Sequence, residues 1–438
     1  MRSFTARRAA KVTAGLLALS TALALSGCGG GASSTPTSTS KITGNVAELS
    51  GADPKALGKG LTIPVGLDVA LSGQGSYYGK VMSDAAKLAA AQIEAAGGPK
   101  FNIVLKDNKS GDTQAGVQTT RELGQQGTHL ALYSFIGVFG SAFQGIDQYK
   151  ILSLDGGGGT STSGKSKPWF YGTRANTPHD SYPGVARYIS QALPKVKRVA
   201  AIIQDAGAGF ASSAENILRT ELSKYGIQLV DVEVAANGAT DDTAAISKML
   251  AANPDLIVQS QFGTDVGYTL KQLRAAGSNL PVIGSEFLPD LANIAGKDAV
   301  NNYMFANDFF DAKTAPSAWG KYFVKTWEEA YPNAGAPDFY AANYYEDLFV
   351  LWQVVQRVTA KGGDVNNPDD LKAAFESNLT FPSVYGHADG KNYGTFSIDP
   401  TTHSVSSRQI TLLQYQKDQL TPLAQFGIGA ADFNLLTK

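Results

Sequence analysis

From residue 61 onward the apolar positions fall into two alternating patterns. Residues 61–71 are a mostly apolar run that the turn residues Ser72, Gly73, Gln74 and Gly75 bring to an end. A run of this kind suits a strand whose two sheet faces are both covered. Over residues 81–96, Ala85, Leu88, Ala89, Gln92 and Ile93 share one helical face, apolar except for the glutamine, and Gly97-Gly98-Pro99 stops the helix. Residues 101–105 predict a second strand, 113–125 a second helix and 130–136 a third strand. The order βαβαβ predicts a parallel sheet.

The alternation resumes after Arg174. Helices are predicted near 182–193 and at 212–225, and strands at 199–204, 228–234, 256–261, 281–284 and 303–309. Long helical segments come next at 317–331, 341–358 and 369–377, and residues 394–398 and 407–415 alternate as β strands do. No short-period repeat is present, although the two halves echo one another.

The chain before residue 61 is of another kind. Arg2, Arg7, Arg8 and Lys11 lead into an apolar run over 12–25, followed by Leu25-Ser26-Gly27-Cys28. A short apolar run with basic residues before it and small residues after it reads as a secretion signal rather than a retained span. Leu-Ser-Gly-Cys also resembles the bacterial lipobox, which makes residues 1–27 a lipoprotein signal peptide and Cys28 the lipidated anchor. Cys28 is the only cysteine in 438 residues, so an intrachain disulfide and a multi-thiolate metal site are both excluded. The Gly, Ser, Thr and Pro of residues 29–40 cannot bury enough apolar surface to fold, and residues 28–58 are expected to be a flexible tether. Loss of the four basic signal residues takes the formal net charge of -1 to about -5, which speaks against nucleic acid as a partner.

Residues 63–98 resemble the first βα unit of the type I periplasmic binding proteins, the branched-chain amino-acid family. The resemblance is carried by Pro64-Val65-Gly66-Leu67-Asp68-Val69-Ala70, Leu71-Ser72-Gly73, Tyr78-Gly79 and Gln92-Ile93-Glu94-Ala95-Ala96-Gly97-Gly98. It continues through Asp107, Tyr171-Gly172-Thr173-Arg174, the 205–210 loop and Gly284-Ser285-Glu286. It implies an α/β fold of two doubly wound parallel-sheet lobes joined by three hinge crossovers, near 175–182, 307–312 and 382–394. Lobe 1 would comprise 59–178 and 313–382, and lobe 2 179–312 and 383–438. The implied function is capture of a small molecule, such as a branched-chain-like amino acid or a related organic solute, by a monomer that docks on the permease subunits of an ABC importer. Related lobes also serve as sensors, and a lipoprotein that presents its bound state to a separate receptor is the alternative. Since neither a transmembrane helix nor a DNA-binding region comes after the clamp before Lys438, transport is the expectation.

Open α/β folds bind ligands at the carboxyl ends of their strands. The resemblance therefore places Gln74, Tyr78, Gly137, Phe139, Ser141, Gly157, Gly158 and Gly159 on the first lobe's side of a cleft. Phe210, Phe262 and Glu286 lie on the second. Phe210 and Phe262 would close over the ligand, and Glu286 would pair with a ligand amine. Gly159 stands where the family supplies a hydroxyl, so Thr160 or Ser141 would have to replace it.

Two motifs need a different reading. Gly159-Thr160-Ser161-Thr162-Ser163-Gly164-Lys165-Ser166 fits the phosphate-loop string, but such a loop opens into a helix, and Pro168-Trp169-Phe170-Tyr171-Gly172 does not start one. Gly73-Gln74-Gly75 suggests a dinucleotide fingerprint, yet Asp107 lies too far along for its acidic partner. His129, His179, His387 and His403 lack metal-ligand spacing, no activated nucleophile is evident, and Asp241-Asp242 and Asp369-Asp370 sit in turn or helix-start contexts. Neither an enzyme nor a cofactor is expected.

Overall fold

The computed structural model describes residues 46–135, 140, 142–157, 166–175, 179–207, 209–315, 317–386 and 394–436. The expected signal peptide, Cys28, most of the expected tether and part of the expected cleft lie outside these ranges. The described chain opens with a short helix, α1 (Val46–Leu49), in which Val46 and Ala47 are buried. The indole of Trp352 donates to Leu57 O at 2.8 Å, Gln353 donates to Ser50 O at 3.2 Å, and Asp53 N donates to Gln356 Oε1 at 3.2 Å. Residues 46–58 are therefore packed, a correction to a tether reaching residue 58. A few apolar side chains and a row of main-chain bonds suffice to fix a segment whose composition alone suggests freedom.

The first lobe continues as β1 (Thr62–Val69), α2 (Ser76–Ala95), β2 (Lys100–Asp107), α3 (Thr113–Gln125), β3 (Leu130–Tyr133), α4 (Ala142–Tyr149), β4 (Leu152–Asp155) and β5 (Phe170–Gly172). These strands form one sheet in the order β2-β1-β3-β4-β5, and every pairing is parallel. Val65, Leu67 and Val69 on one face of β1 and Gly66 and Asp68 on the other are all buried, in keeping with a strand covered on both faces.

The second lobe is built from α5 (Tyr182–Ala192), β6 (Arg198–Gln204), α6 (Phe210–Ser223), β7 (Gln228–Ala235), α7 (Thr243–Ala251), β8 (Leu256–Ser260), α8 (Asp265–Ala275), β9 (Val282–Gly284), α9 (Leu291–Ala295), α10 (Lys297–Val300) and β10 (Met304–Asn307). The chain then returns to the first lobe as α11 (Ala318–Ala330), α12 (Phe339–Ala360) and α13 (Pro368–Glu376). α12 lies along α2, and the odd glutamine of the apolar stripe explains itself there. Gln92 donates to Thr326 of α11 at 2.9 Å and accepts from the Tyr345 hydroxyl of α12. A buried amide is tolerated when both ends are bonded.

Two short antiparallel strands, β11 (Thr380–Pro382) and β12 (Thr395–Ser397), precede the last passage. β13 (Gln409–Gln416), β14 (Gln419–Gly427) and β15 (Asn434–Leu435) then complete the second sheet, ordered β7-β6-β8-β9-β10-β13-β14-β15. Its first five strands are parallel and its last three antiparallel. The third crossing falls later than the expected 382–394. Gly172 N at the end of β5 bonds to His403 O at 2.8 Å, and the His403 ring stacks on Tyr171 with centroids 4.2 Å apart. The segment 394–408 thus remains with the first lobe, and the chain enters the second sheet between Arg408 and Gln409.

Candidate functional site

The carboxyl ends of both sheets converge on one seam. Arg174 emerges just past β5 and is 4% exposed. Its Nη2 donates to Glu286 Oε1 at 3.2 Å and its Nε to Asp308 Oδ1 at 2.9 Å, residues just past β9 and β10 in the other lobe. Its Nη1 donates to Gly157 O at 2.7 Å and to the Tyr340 hydroxyl at 3.1 Å, and Tyr340 in turn donates to Glu286 Oε2 at 2.6 Å. The guanidinium also lies over the Phe339 and Tyr340 rings, 4.8 Å from each centroid.

Burial opposes the charge on Arg174, but Tyr340, Glu286 and Asp308 outweigh it and hold its pKa well above the ordinary value. Burial raises the pKa of Glu286, and the neighbouring Arg174 acts in the opposite direction. The cluster sets two carboxyl groups against one guanidinium. Asp308 reaches further, accepting from Asn343 of α12 at 3.2 Å. Arg408, at the third crossing, bonds Glu346 of the same helix as well as Thr173 O and Asn343. α12 is therefore tied to residues beside all three crossings.

Gln74 and Tyr78 form the first lobe's lip. The Tyr78 hydroxyl accepts from Gly263 N of the second lobe at 2.8 Å, and its ring lies 4.5 Å from that of Tyr340 and 6.0 Å from that of Phe135. Phe135 has a φ of +60°, rare for a bulky residue, and such backbone marks places where the surroundings hold a side chain in a set direction. A Cβ on Gly75 would lie 2.6 Å from the Phe135 ring, and one on Gly73 would lie 2.7 Å from Ser110 Oγ. Both glycines make room for neighbouring side chains.

Phe210 and Phe262 are half-buried and face each other with ring centroids 5.9 Å apart, while Phe262 N donates to Gln204 at 2.7 Å. Gly157 N bonds Asp155 at 2.7 Å. The expected ligand residues Gly137, Phe139, Ser141, Gly158 and Gly159 lie outside the described residues, as does 159–165 of the phosphate-loop string. Among the described residues the chain runs from Lys167 into β5 without an intervening α-helix. Among the described residues no group of His, Cys, Asp or Glu is placed to hold a metal, and no helix is long and apolar enough to cross a membrane.

Sequence reasoning brought Glu286 to the strand end it occupies, where Arg174 donates to one of its oxygens and Tyr340 to the other. It missed Arg174, Asp308 and Tyr340 as site residues. The one local signal was an arginine at the carboxyl end of a strand just before a crossing.

The family model of the periplasmic binding proteins matches residues 62–419. The chain belongs to that family. It is 29% identical over 124 residues to the Leu/Ile/Val/Thr-binding protein of Salmonella typhimurium, a match covering 27% of this chain and 33% of that protein. The chain spans about a third of the length of the curated relatives it matches. Among solved structures it resembles the branched-chain amino acid transporter substrate-binding protein of Streptococcus pneumoniae in complex with isoleucine, with a TM-score of 0.70 and 21% identity over 84% of this chain and 99% of that one. An ABC-transporter solute-binding protein of R. palustris in complex with benzoate gives a TM-score of 0.70 and 19% identity over 84% and 97% of the two chains. At these identities the solved structures speak for the α/β fold alone.

Proposed function

We propose that this chain is the extracytoplasmic solute-binding component of an ABC importer, anchored by a lipid on Cys28 and closing its lobes over a small organic molecule. The observation that carries the reading is the seam, where Arg174, Glu286, Asp308, Tyr78 and Tyr340 meet across two lobes joined by only three strands of chain. Such a hinge absorbs closure in a few residues. Phe210, Phe262 and Phe135 offer an apolar wall for the solute. The two carboxyl groups beside Arg174 favour an ammonium or a neutral polar group over a carboxylate at that end of the cleft. Glu286 is the candidate partner for such an amine, through the acceptor capacity its two bonds leave unused.

A thermal-shift screen of the mature protein tests this, with amino acids and aromatic acids as probes. A ligand present at about a hundred times its Kd adds roughly 2.7 kcal/mol to stability. An amine-bearing or neutral solute is expected to raise the melting temperature. If benzoate-like carboxylates stabilise and no amine or neutral compound does, the charge argument fails, and if no small molecule has any effect the transport reading fails. Anchoring is tested separately by fractionation: Cys28→Ala should release the protein or leave it unprocessed, and a variant still lipidated at the membrane would refute the lipobox.

A further inference from the structure

The two lobes also touch at the lip, away from all three crossings. Gly263 lies in the loop between β8 and α8 with a φ of +63°, in the left-handed region that favours glycine. Its N–H donates to the Tyr78 hydroxyl at 2.8 Å. A Cβ at this position would lie 2.8 Å from the Gln74 carbonyl oxygen and 3.2 Å from its carbon, so the main chains of the two lobes meet at a distance that only glycine permits. The Gln74 side chain enters the second lobe. With its amide set to match its neighbours, its nitrogen donates to the two Asp265 oxygens at 2.7 and 2.8 Å and its oxygen accepts from Gln204 at 3.0 Å. Asn237 borders the same amide, and Asp265 is fixed from behind by Gly238 N at 2.8 Å.

We propose that Gln74 and Gly263 are positioning residues that set how far the clamp closes, forming a lip-to-lip latch that holds the closed arrangement without a solute bridging the lobes. Gln74, expected to hold solute, instead spends its hydrogen bonds on the opposite lobe. Tyr78 serves the latch through its hydroxyl and the aromatic wall through its ring. The inference rests on the two-lobe capture reading, but its test needs no solute, so the failure of one is distinguishable from the failure of the other.

The experiment measures the lobe separation directly. Cys28 is the only cysteine, so the full chain carrying Cys28→Ser accepts spin labels at Gln114→Cys in α3 and Ser223→Cys in α6, both exposed and on different lobes. Protein unfolded and refolded to strip bound solute should show mostly the shorter, closed distance. Gln74→Ala loses two or three interlobe bonds and should lower the closed-to-open ratio by about threefold to tenfold. Gly263→Ala adds backbone strain and a clash with a carbonyl that no rotamer relieves, and should lower the ratio by more than about tenfold. Melting curves establish that each variant is folded, and Gln74→Ala, on a surface loop, keeps the test decisive if Gly263→Ala does not fold. A role confined to stability would leave the distance distribution of a folded variant unmoved. The proposal is overturned if stripped wild-type protein is mostly open, or if folded Gln74→Ala keeps the wild-type distribution.

Discussion

Arg174 and Glu286 belong to different lobes and are 112 residues apart, yet they form an ion pair at 3.2 Å with both side chains nearly inaccessible to water. A buried pair is costly to break from one side, because the remaining charge keeps its desolvation penalty and loses its compensation. Arg174→Met leaves Glu286 and Asp308 without a counter-charge and should destabilise the protein by about 3–5 kcal/mol. Glu286→Gln leaves the guanidinium paired with Asp308 and should cost about 1–2 kcal/mol. Urea unfolding of both variants checks the order. If Glu286→Gln proves the more damaging, Asp308 does not share the charge as described.

Asp68 gives a stability effect that depends on pH. It is the penultimate residue of β1, with Thr119 donating to one oxygen at 2.5 Å and its other oxygen without a hydrogen-bond partner among the described residues. Burial pushes its carboxyl up to about 7 from an ordinary 3.8, the Thr119 bond opposing only in part. Between those values the folded chain keeps a proton that the unfolded chain has lost, so this group's contribution to stability falls as pH rises and levels off above about 7. Asp68→Asn removes the penalty. Relative to wild type it should be more stable at about pH 8, by an amount on the order of a few kcal/mol, and nearly unchanged at about pH 4. Melting curves across that range check it, and an equal gain at both pH values would disprove the mechanism.

Gly79 stands in the first turn of α2, where a Cβ would come within 1.9 Å of the Ala70 carbonyl oxygen. Because the obstacle is backbone, the helix must shift away from β1 to admit a methyl group. Overpacking of this kind costs about 1–3 kcal/mol. Gly79→Ala should therefore unfold at lower denaturant than wild type, whereas Gly127→Ala meets nothing within 4 Å and should lose only what its φ of +72° demands.

The packed N-terminal segment can be tested by length. A chain beginning at residue 46 keeps Val46, Ala47 and the bonds to Trp352, Gln353 and Gln356, whereas one beginning at residue 59 loses them all. At about 1 kcal/mol for each hydrogen bond, the shorter chain should be less stable by roughly 3 kcal/mol. Equal unfolding midpoints would mean that the segment rests on the lobe without supporting it.

How much of this was legible beforehand depended on the range of the interactions. β1, β2, α2 and α3 announce themselves because their signals are local: apolar runs, helical periodicity and Gly97-Gly98-Pro99 as a stop. The antiparallel return of β13 and β14 does not, since alternation shows a strand but not its partner or direction. The same limit governs the seam. Glu286 could be placed at a strand end, whereas Arg174, Asp308 and Tyr340 come from separate stretches of chain, and their convergence leaves no trace in any window of sequence. Gln92 falls between these cases, visible as an exception in an apolar stripe but explained only by Thr326 and Tyr345.

The attachment of residues 46–58 to α12 joins the N-terminal end of the described chain to the first lobe. Trp352, Gln353 and Gln356 receive that segment, and all three stand on a helix of the first lobe. A pull on the chain ahead of residue 46 is delivered to the first lobe, and the second feels it only through the crossings and the lip. Were the chain held ahead of residue 46, as the proposed anchor would hold it, the first lobe would be the fixed jaw and the second the swinging one.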